Sequence, residues 1–160
     1  MWKTDLVGTK KKLKFSLSQK GVELIVSFEG FSNKPYRDLG GVWTIGYGNT
    51  YIKNTKVHAT TASISKEQGL TLLKETIRET EILMRRIIKG ELNQNRWDSL
   101  VSLTYNIGIG NFKKSSVLKY LNDNNFIKAS NAFMLWDKSG GKVLTGLVNR
   151  RKKEKNVFLL

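Results

Sequence analysis

The sequence contains no cysteine and a single histidine, His58, in 160 residues. Without cysteine there is neither a disulfide framework nor a thiolate zinc site. One histidine is a poor basis for a histidine metal cluster or a Ser-His-Asp triad, so no metal and no cofactor is expected. Acidic residues are scarce as well: 13 stand against 28 lysines and arginines, a formal net charge of +15. That surplus does not choose a fold, but it predicts attraction to polyanions such as nucleic acid, anionic lipid or a charged wall polymer. No apolar run is long enough for a signal-peptide core or a membrane span, so neither is expected. An enzyme built from this inventory would rely mainly on carboxylates.

What is present favours a folded core. The chain is 39% hydrophobic with four tryptophans, and its length suits one compact domain or two small lobes. Residues 1–15 are basic and are expected to form a weakly structured arm ahead of a single domain over 16–160. The first helix is predicted to start near Ser16 or Ser18, where Ser16 and Gln19 have capping-box spacing. Gly21, Leu24, Ile25 and Phe28 give it one apolar face, and Gly30 stands where it should stop. Val42 to Tyr47 alternates with strand period behind the Gly40-Gly41 turn signal, predicting a small antiparallel sheet with Asp38 near its turn. Ser65 and Gln68 form a second capping box, opening a long helix to about residue 89 through Leu70, Leu73, Ile77, Met84 and Ile88. Further helices are marked by Trp97, Leu100, Val101 and Thr104, ending near Gly108, and by Ser115–Leu121. Another is marked by Phe126, Ala129, Phe133 and Trp136, stopped by Gly140-Gly141, and a last one runs from about Gly146. The plan is α+β, with a sheet lobe at about 30–60 and a helical lobe at about 66–160.

Two carboxylates stand out against this background. Cleaving a glycosidic bond takes an acid for the leaving oxygen and usually a second carboxylate, which in inverting enzymes activates water across a gap of roughly 6.5–9.5 Å. Glu29 at a helix end and Asp38 at a hairpin turn have a spacing compatible with such a gap. Thr44, on the returning strand, is placed to reach the same water. Spacing alone leaves two solvated charges beside a turn as the competing explanation.

The motif E-G-x₅-Y-x-D, a double glycine and then T-I-G-Y-G resembles the signature of phage-type lysozymes, the endolysins of glycoside hydrolase family 24. The segments NQNRWDSLVSLTYNIGIGNF, SSVLKYLN and FMLWDKSGGKVLTGLVNRRKKE are similar to family segments in the same order, from about residue 18 onward. The resemblance implies a lysozyme-like α+β fold: a small β-hairpin lobe joined by a long helix to a mainly helical lobe, with the active-site cleft between them. It implies Glu29 as general acid, Asp38 as the base that activates water, and Thr44 as the residue positioning that water. The implied reaction is hydrolysis, with inversion, of the β-1,4 bond between N-acetylmuramic acid and N-acetylglucosamine in peptidoglycan. Arg150 is similar to an arginine that pairs with the catalytic glutamate, with Arg151 adjacent as the alternative. Tyr105, Asn106 and Gly108 fall in a segment lining the far wall of the cleft. From strand alternation alone, Trp43 and Tyr47 are expected to split between hairpin core and cleft rim. Asn49 departs from the family's usual G-Y-G-H-T, which puts a local ion pair in doubt and leaves the chemistry untouched.

Among the remaining features, His58 is expected on a surface loop, and Trp97, Phe133 and Trp136 in the core. Residues 1–20 carry six lysines and one acid, and residues 142–155 carry six bases and one acid. These are solvated faces or a source of attraction to anionic envelope polymers or lipids. The implied partner is peptidoglycan, acted on by a monomer. That monomer accumulates in the host cytoplasm and reaches the periplasm and wall through holin lesions. Two alternatives are a lytic transglycosylase, which Asp38 and Thr44 argue against, and a non-enzymatic basic protein. No nucleic-acid motif supports specific nucleic-acid binding.

Overall fold

The computed structural model describes residues 15–160, so all but the last residue of the predicted basic arm lies outside it. The chain forms two compact units: Glu23–Glu79, and Thr80–Leu160 together with the segment up to Val22. Among the described residues no helix is long and apolar enough to cross a membrane.

Helix α1 spans Gln19–Glu29. Ser18, not Ser16, caps it, its Oγ accepting from the Gly21 N–H at 3.1 Å. The choice falls on Ser18 because Asp98 holds it from below: the Ser18 N–H donates to Asp98 Oδ1 at 3.0 Å and its hydroxyl to Oδ2. Gly21 follows where a Cβ would stand 2.8 Å from Asp98 Cγ, so this end of the helix tolerates no side chain there. At the other end Gly30 takes a φ of 65°, the left-handed conformation that stops a helix without strain.

In the Glu23–Glu79 unit, β1 (Ser32–Arg37) pairs antiparallel with β2 (Trp43–Gly46). The register shifts between Ser32 and Tyr36, an irregularity that contains Pro35, which has no N–H to give a ladder. A second hairpin joins β3 (Tyr51–Ile52) to β4 (Thr55–Lys56). Helix α2 spans Lys66–Ile87 and opens on the predicted box: the Gln68 N–H donates to Ser65 Oγ at 3.1 Å, and the Ser65 N–H to Gln68 Oε1 at 2.7 Å.

The helical unit contains α3 (Gln94–Ile107), α4 (Ile109–Lys114), α5 (Ser116–Asn122), α6 (Phe126–Ala132) and α7 (Thr145–Phe158). Its core takes in Met84, Trp97, Leu100, Leu103, Phe112, Leu121, Phe133 and Phe158, each fully or almost fully buried. The helix marked by Phe126 is shorter than its apolar spacing predicts. It passes into a 3₁₀ turn at Phe133–Leu135, and Trp136 lies beyond it, half-buried. Gly140 and Gly141 do not end a helix. They sit at φ 58° and 80° in the turn of a hairpin, β5 (Lys138–Ser139) against β6 (Lys142–Val143). Two consecutive left-handed residues match the twist of a two-residue hairpin, which an apolar-period reading does not register.

Candidate active site

Glu29, Asp38 and Thr44 all belong to the Glu23–Glu79 unit: the first two flank β1, and Thr44 lies on β2. Glu29 is the last residue of α1, half-buried, and β1 begins three residues later. It lines a depression of about 280 Å³ together with Gly30, Phe31, Ser32, Tyr36 and Gly46. The wall of that depression is well supported. The Phe31 ring lies 5.2 Å from the Tyr47 ring, and a Cβ on Gly69 would fall 2.6 Å from Phe31 Cε1. Tyr47 is itself buried, 3% exposed, so it acts beneath the depression through Phe31.

Asp38 follows β1 directly and organises the turn into β2. Its Oδ1 accepts from the N–H groups of Gly40 at 2.9 Å and Val42 at 2.8 Å. Its backbone closes the same turn, the N–H donating to Val42 O at 3.0 Å and the carbonyl accepting from Gly41 at 2.9 Å. Aspartate is suited to this position because its short side chain reaches its own backbone two residues on. Both side-chain bonds fall on one oxygen of an exposed carboxylate. Arg37 braces the hairpin, with its guanidinium 4.9 Å from the Trp43 ring and Nη1 donating to Gly41 O at 3.2 Å.

Thr44 is buried, and its hydroxyl donates to the Val42 carbonyl at 2.9 Å. With its proton so used, Oγ1 is left to act as an acceptor. Asn49, where the sequence put an ion pair in doubt, makes a neutral bond instead: Nδ2 donates to Thr76 Oγ1 at 3.0 Å, and Thr76 donates to Leu72 O.

Arg150, Tyr105, Asn106 and Gly108 belong to the helical unit. Arg150 is 4% exposed; its Nε donates to Glu154 Oε2 at 3.1 Å and its Nη2 to the Ser102 carbonyl at 3.1 Å. Arg151 is fully buried, with Nη1 on the Trp136 carbonyl and Nε in ion-pair contact with Glu154 Oε1 at 2.7 Å, not aligned as a hydrogen bond. Burial pushes the Glu154 carboxyl above its ordinary value, against the pull of Arg151, Arg150 and the Ser102 hydroxyl. Tyr105 is half-buried and Asn106 exposed on the last turn of α3, which Gly108 terminates at φ 87°. Among the described residues no three His, Cys, Asp or Glu side chains gather as metal ligands.

The sequence reading gave no role to Tyr36. It lies across from Thr44 in the β1–β2 register, lines the Glu29 depression, and is 39% exposed. Burial, then the negative charges of Glu29 and Asp38, push its hydroxyl above the ordinary value. The available signal was strand alternation, which puts the residue two before Asp38 on the side of the chain that Asp38 continues.

Comparison with known proteins shows the family and the fold. The chain is 42% identical over 146 residues to the endolysin of Bacillus phage B103, a match covering 90% of this chain and 54% of that one. It thus spans about half the length of that relative, as it does of the endolysin of Bacillus phage PZA. Among solved structures, the endolysin from the Escherichia coli phage FAHEc1 superposes with a TM-score of 0.84 at 34% identity, covering 91% of this chain and 94% of that one. The muramidase domain of SpmX from Asticaccaulis excentricus gives 0.81 at 33% identity, covering 92% and 99%. The fold is lysozyme-like α+β, and a family model described as phage lysozyme matches residues 26–154. A match of that extent, spanning most of the chain, makes this chain a member of the phage lysozyme family.

Proposed function

We propose that this chain is an endolysin that hydrolyses the β-1,4 bond between N-acetylmuramic acid and N-acetylglucosamine in peptidoglycan. The observation that carries the reading is the pair of carboxylates at the two ends of β1, one beside a depression and one on an exposed turn. Glu29 gives its proton to the glycosidic oxygen as the C1–O bond breaks. Asp38 takes a proton from water, whose oxygen attacks C1 from the opposite face. Thr44 Oγ1 accepts the other water hydrogen, which its bond to Val42 leaves it able to do. A water with both hydrogens accepted in this way turns a lone pair toward C1. The products are a free hydroxyl on the leaving sugar and a hemiacetal of inverted configuration. Glu29 is left ionised and Asp38 protonated, and exchange with solvent resets both.

Proton NMR of the first product tests this reading. The α-anomer is expected before mutarotation. The β-anomer would make Asp38 a nucleophile, and a 1,6-anhydro end, one water lighter, would make the enzyme a transglycosylase. In the cell the reading implies cytoplasmic accumulation and release to the wall through a holin lesion.

A second property follows from where the charge lies. The Glu23–Glu79 unit carries seven bases and six acids, whereas the described part of the helical unit carries sixteen bases and six acids. Three of those six acids, Glu81, Asp98 and Glu154, are buried. We infer attraction of the helical unit to anionic envelope polymers, which concentrates enzyme at the wall. Added salt is expected to slow lysis of whole walls much more than cleavage of a short neutral oligosaccharide. Equal slowing of both would remove this inference.

A further inference from the structure

The depression beside Glu29 has features that neither acid catalysis nor water activation uses. Its floor includes Gly30 and Gly46, so backbone rather than side chain faces the space, and Gly46 is held at φ 67°. A Cβ on Gly46 would come within 3.2 Å of Ile64 Cδ1, so that floor is fixed from below. One wall is the Phe31 ring, itself backed by Tyr47 and the Gly69 turn of α2. The Ser32 hydroxyl is turned away from duty there, donating to Lys34 O at 2.7 Å. Tyr36 supplies a hydroxyl that donates to no group among the described residues. The depression, about 280 Å³, has room for the short N-acetyl arm of a sugar.

Resting on the hydrolase reading above, we propose that this depression seats the 2-acetamido group of the sugar held against Glu29, with the Tyr36 hydroxyl donating to the acetamido carbonyl. The chemistry of the lining fits the two ends of that group. The methyl finds the Phe31 face and the bare backbone of Gly30 and Gly46. The carbonyl needs a donor, and Tyr36 is the side chain in the lining with a hydroxyl proton not already committed. That proton is retained, because burial and then the fields of Glu29 and Asp38 disfavour the phenolate. Tyr36 also lies across from Thr44, and directly opposed strand residues share a face of the ladder. A ligand arm fixed at Tyr36 therefore sits on the face that presents Thr44. Selection for an N-acetylated sugar and placement of its C1 follow from one contact.

The test is a cycle of two changes: Tyr36→Phe in the protein, and removal of acetyl groups from the wall. Purified wall is assayed as isolated, after chemical N-deacetylation, and after re-N-acetylation, by release of reducing ends. Tyr36→Phe keeps the ring and the wall of the depression. It is expected to lower kcat/KM on acetylated wall by about 5–10-fold, the range for one hydrogen bond between uncharged groups. On N-deacetylated wall it should change kcat/KM less than about twofold, and re-acetylation should restore the difference. An equal fall on both walls, or no fall on either, overturns the proposal, since a purely structural tyrosine cannot distinguish the two substrates. Wild-type protein that releases no reducing ends from the native wall would overturn the hydrolase reading and this inference with it. Wild-type activity with an unchanged Tyr36→Phe ratio would overturn this inference alone.

Discussion

Glu29→Gln is expected to lower wall hydrolysis by about 10²–10⁴-fold, the range that a positioned general acid contributes, with the loss in kcat and little change in KM. Glutamine keeps the size and hydrogen-bonding capacity of the side chain and removes only the transferable proton. The depression is left intact, because glutamine fills the same space as Glu29 beside Gly30, Phe31, Ser32, Tyr36 and Gly46. Asp38→Asn supplies the informative contrast. Asparagine retains an Oδ1 able to accept from Gly40 and Val42, so the turn persists while the base is lost. Asp38→Ala loses both, and should cost stability as well as rate. A zymogram, or turbidity loss of a wall suspension, checks all three against wild type, with circular dichroism as the control for folding. Clearing by Glu29→Gln at the wild-type rate would end the assignment of Glu29 as the acid.

The residues around Glu29 were legible in the sequence for local reasons. Gly30 ends a helix in a conformation that glycine adopts freely, and Gly41 stands at φ 78° in the turn that Asp38 organises. Ser65 and Gln68 specify a helix start within four residues. Each signal is read and satisfied within one turn of chain, so no tertiary information is needed. Ser16 fails for the opposite reason. Its spacing to Gln19 is as good as that of Ser65 to Gln68, but Asp98, eighty residues from Ser18, captures Ser18 and makes it the cap. Tyr36 escaped notice in the same way. Its position in the motif is visible, whereas its place across from Thr44 depends on a register shifted through Pro35. The hairpin at Lys138–Val143 lay under an apolar period that continues from Phe126 to Trp136, and period alone does not separate a continuing helix from a 3₁₀ turn.

The same limit applied to Trp97, whose helical spacing suits either a core residue or an aromatic platform for sugar, and here the structure makes a strong prediction. Trp97 is fully buried, and its indole N–H donates to Glu81 Oε1 at 2.8 Å. That oxygen also accepts from the Leu17 N–H at 2.5 Å, so the indole helps fix the chain entering α1. Arg85 covers the ring at 5.3 Å and reaches Glu81 Oε2 at 3.6 Å. Trp97→Ala removes the ring from a packed core and is expected to cost about 3–5 kcal/mol. That is a large part of the roughly 5–15 kcal/mol that a domain has in total, so the variant's denaturation midpoint should fall sharply. Trp97→Phe keeps much of the volume and loses the donor to Glu81, and should cost about 1–3 kcal/mol. Urea denaturation followed by circular dichroism measures both. If Trp97 were a platform instead, Trp97→Phe would leave stability alone and raise KM. Buried as it is, it should do the reverse, lowering the denaturation midpoint while the surviving folded enzyme keeps its KM.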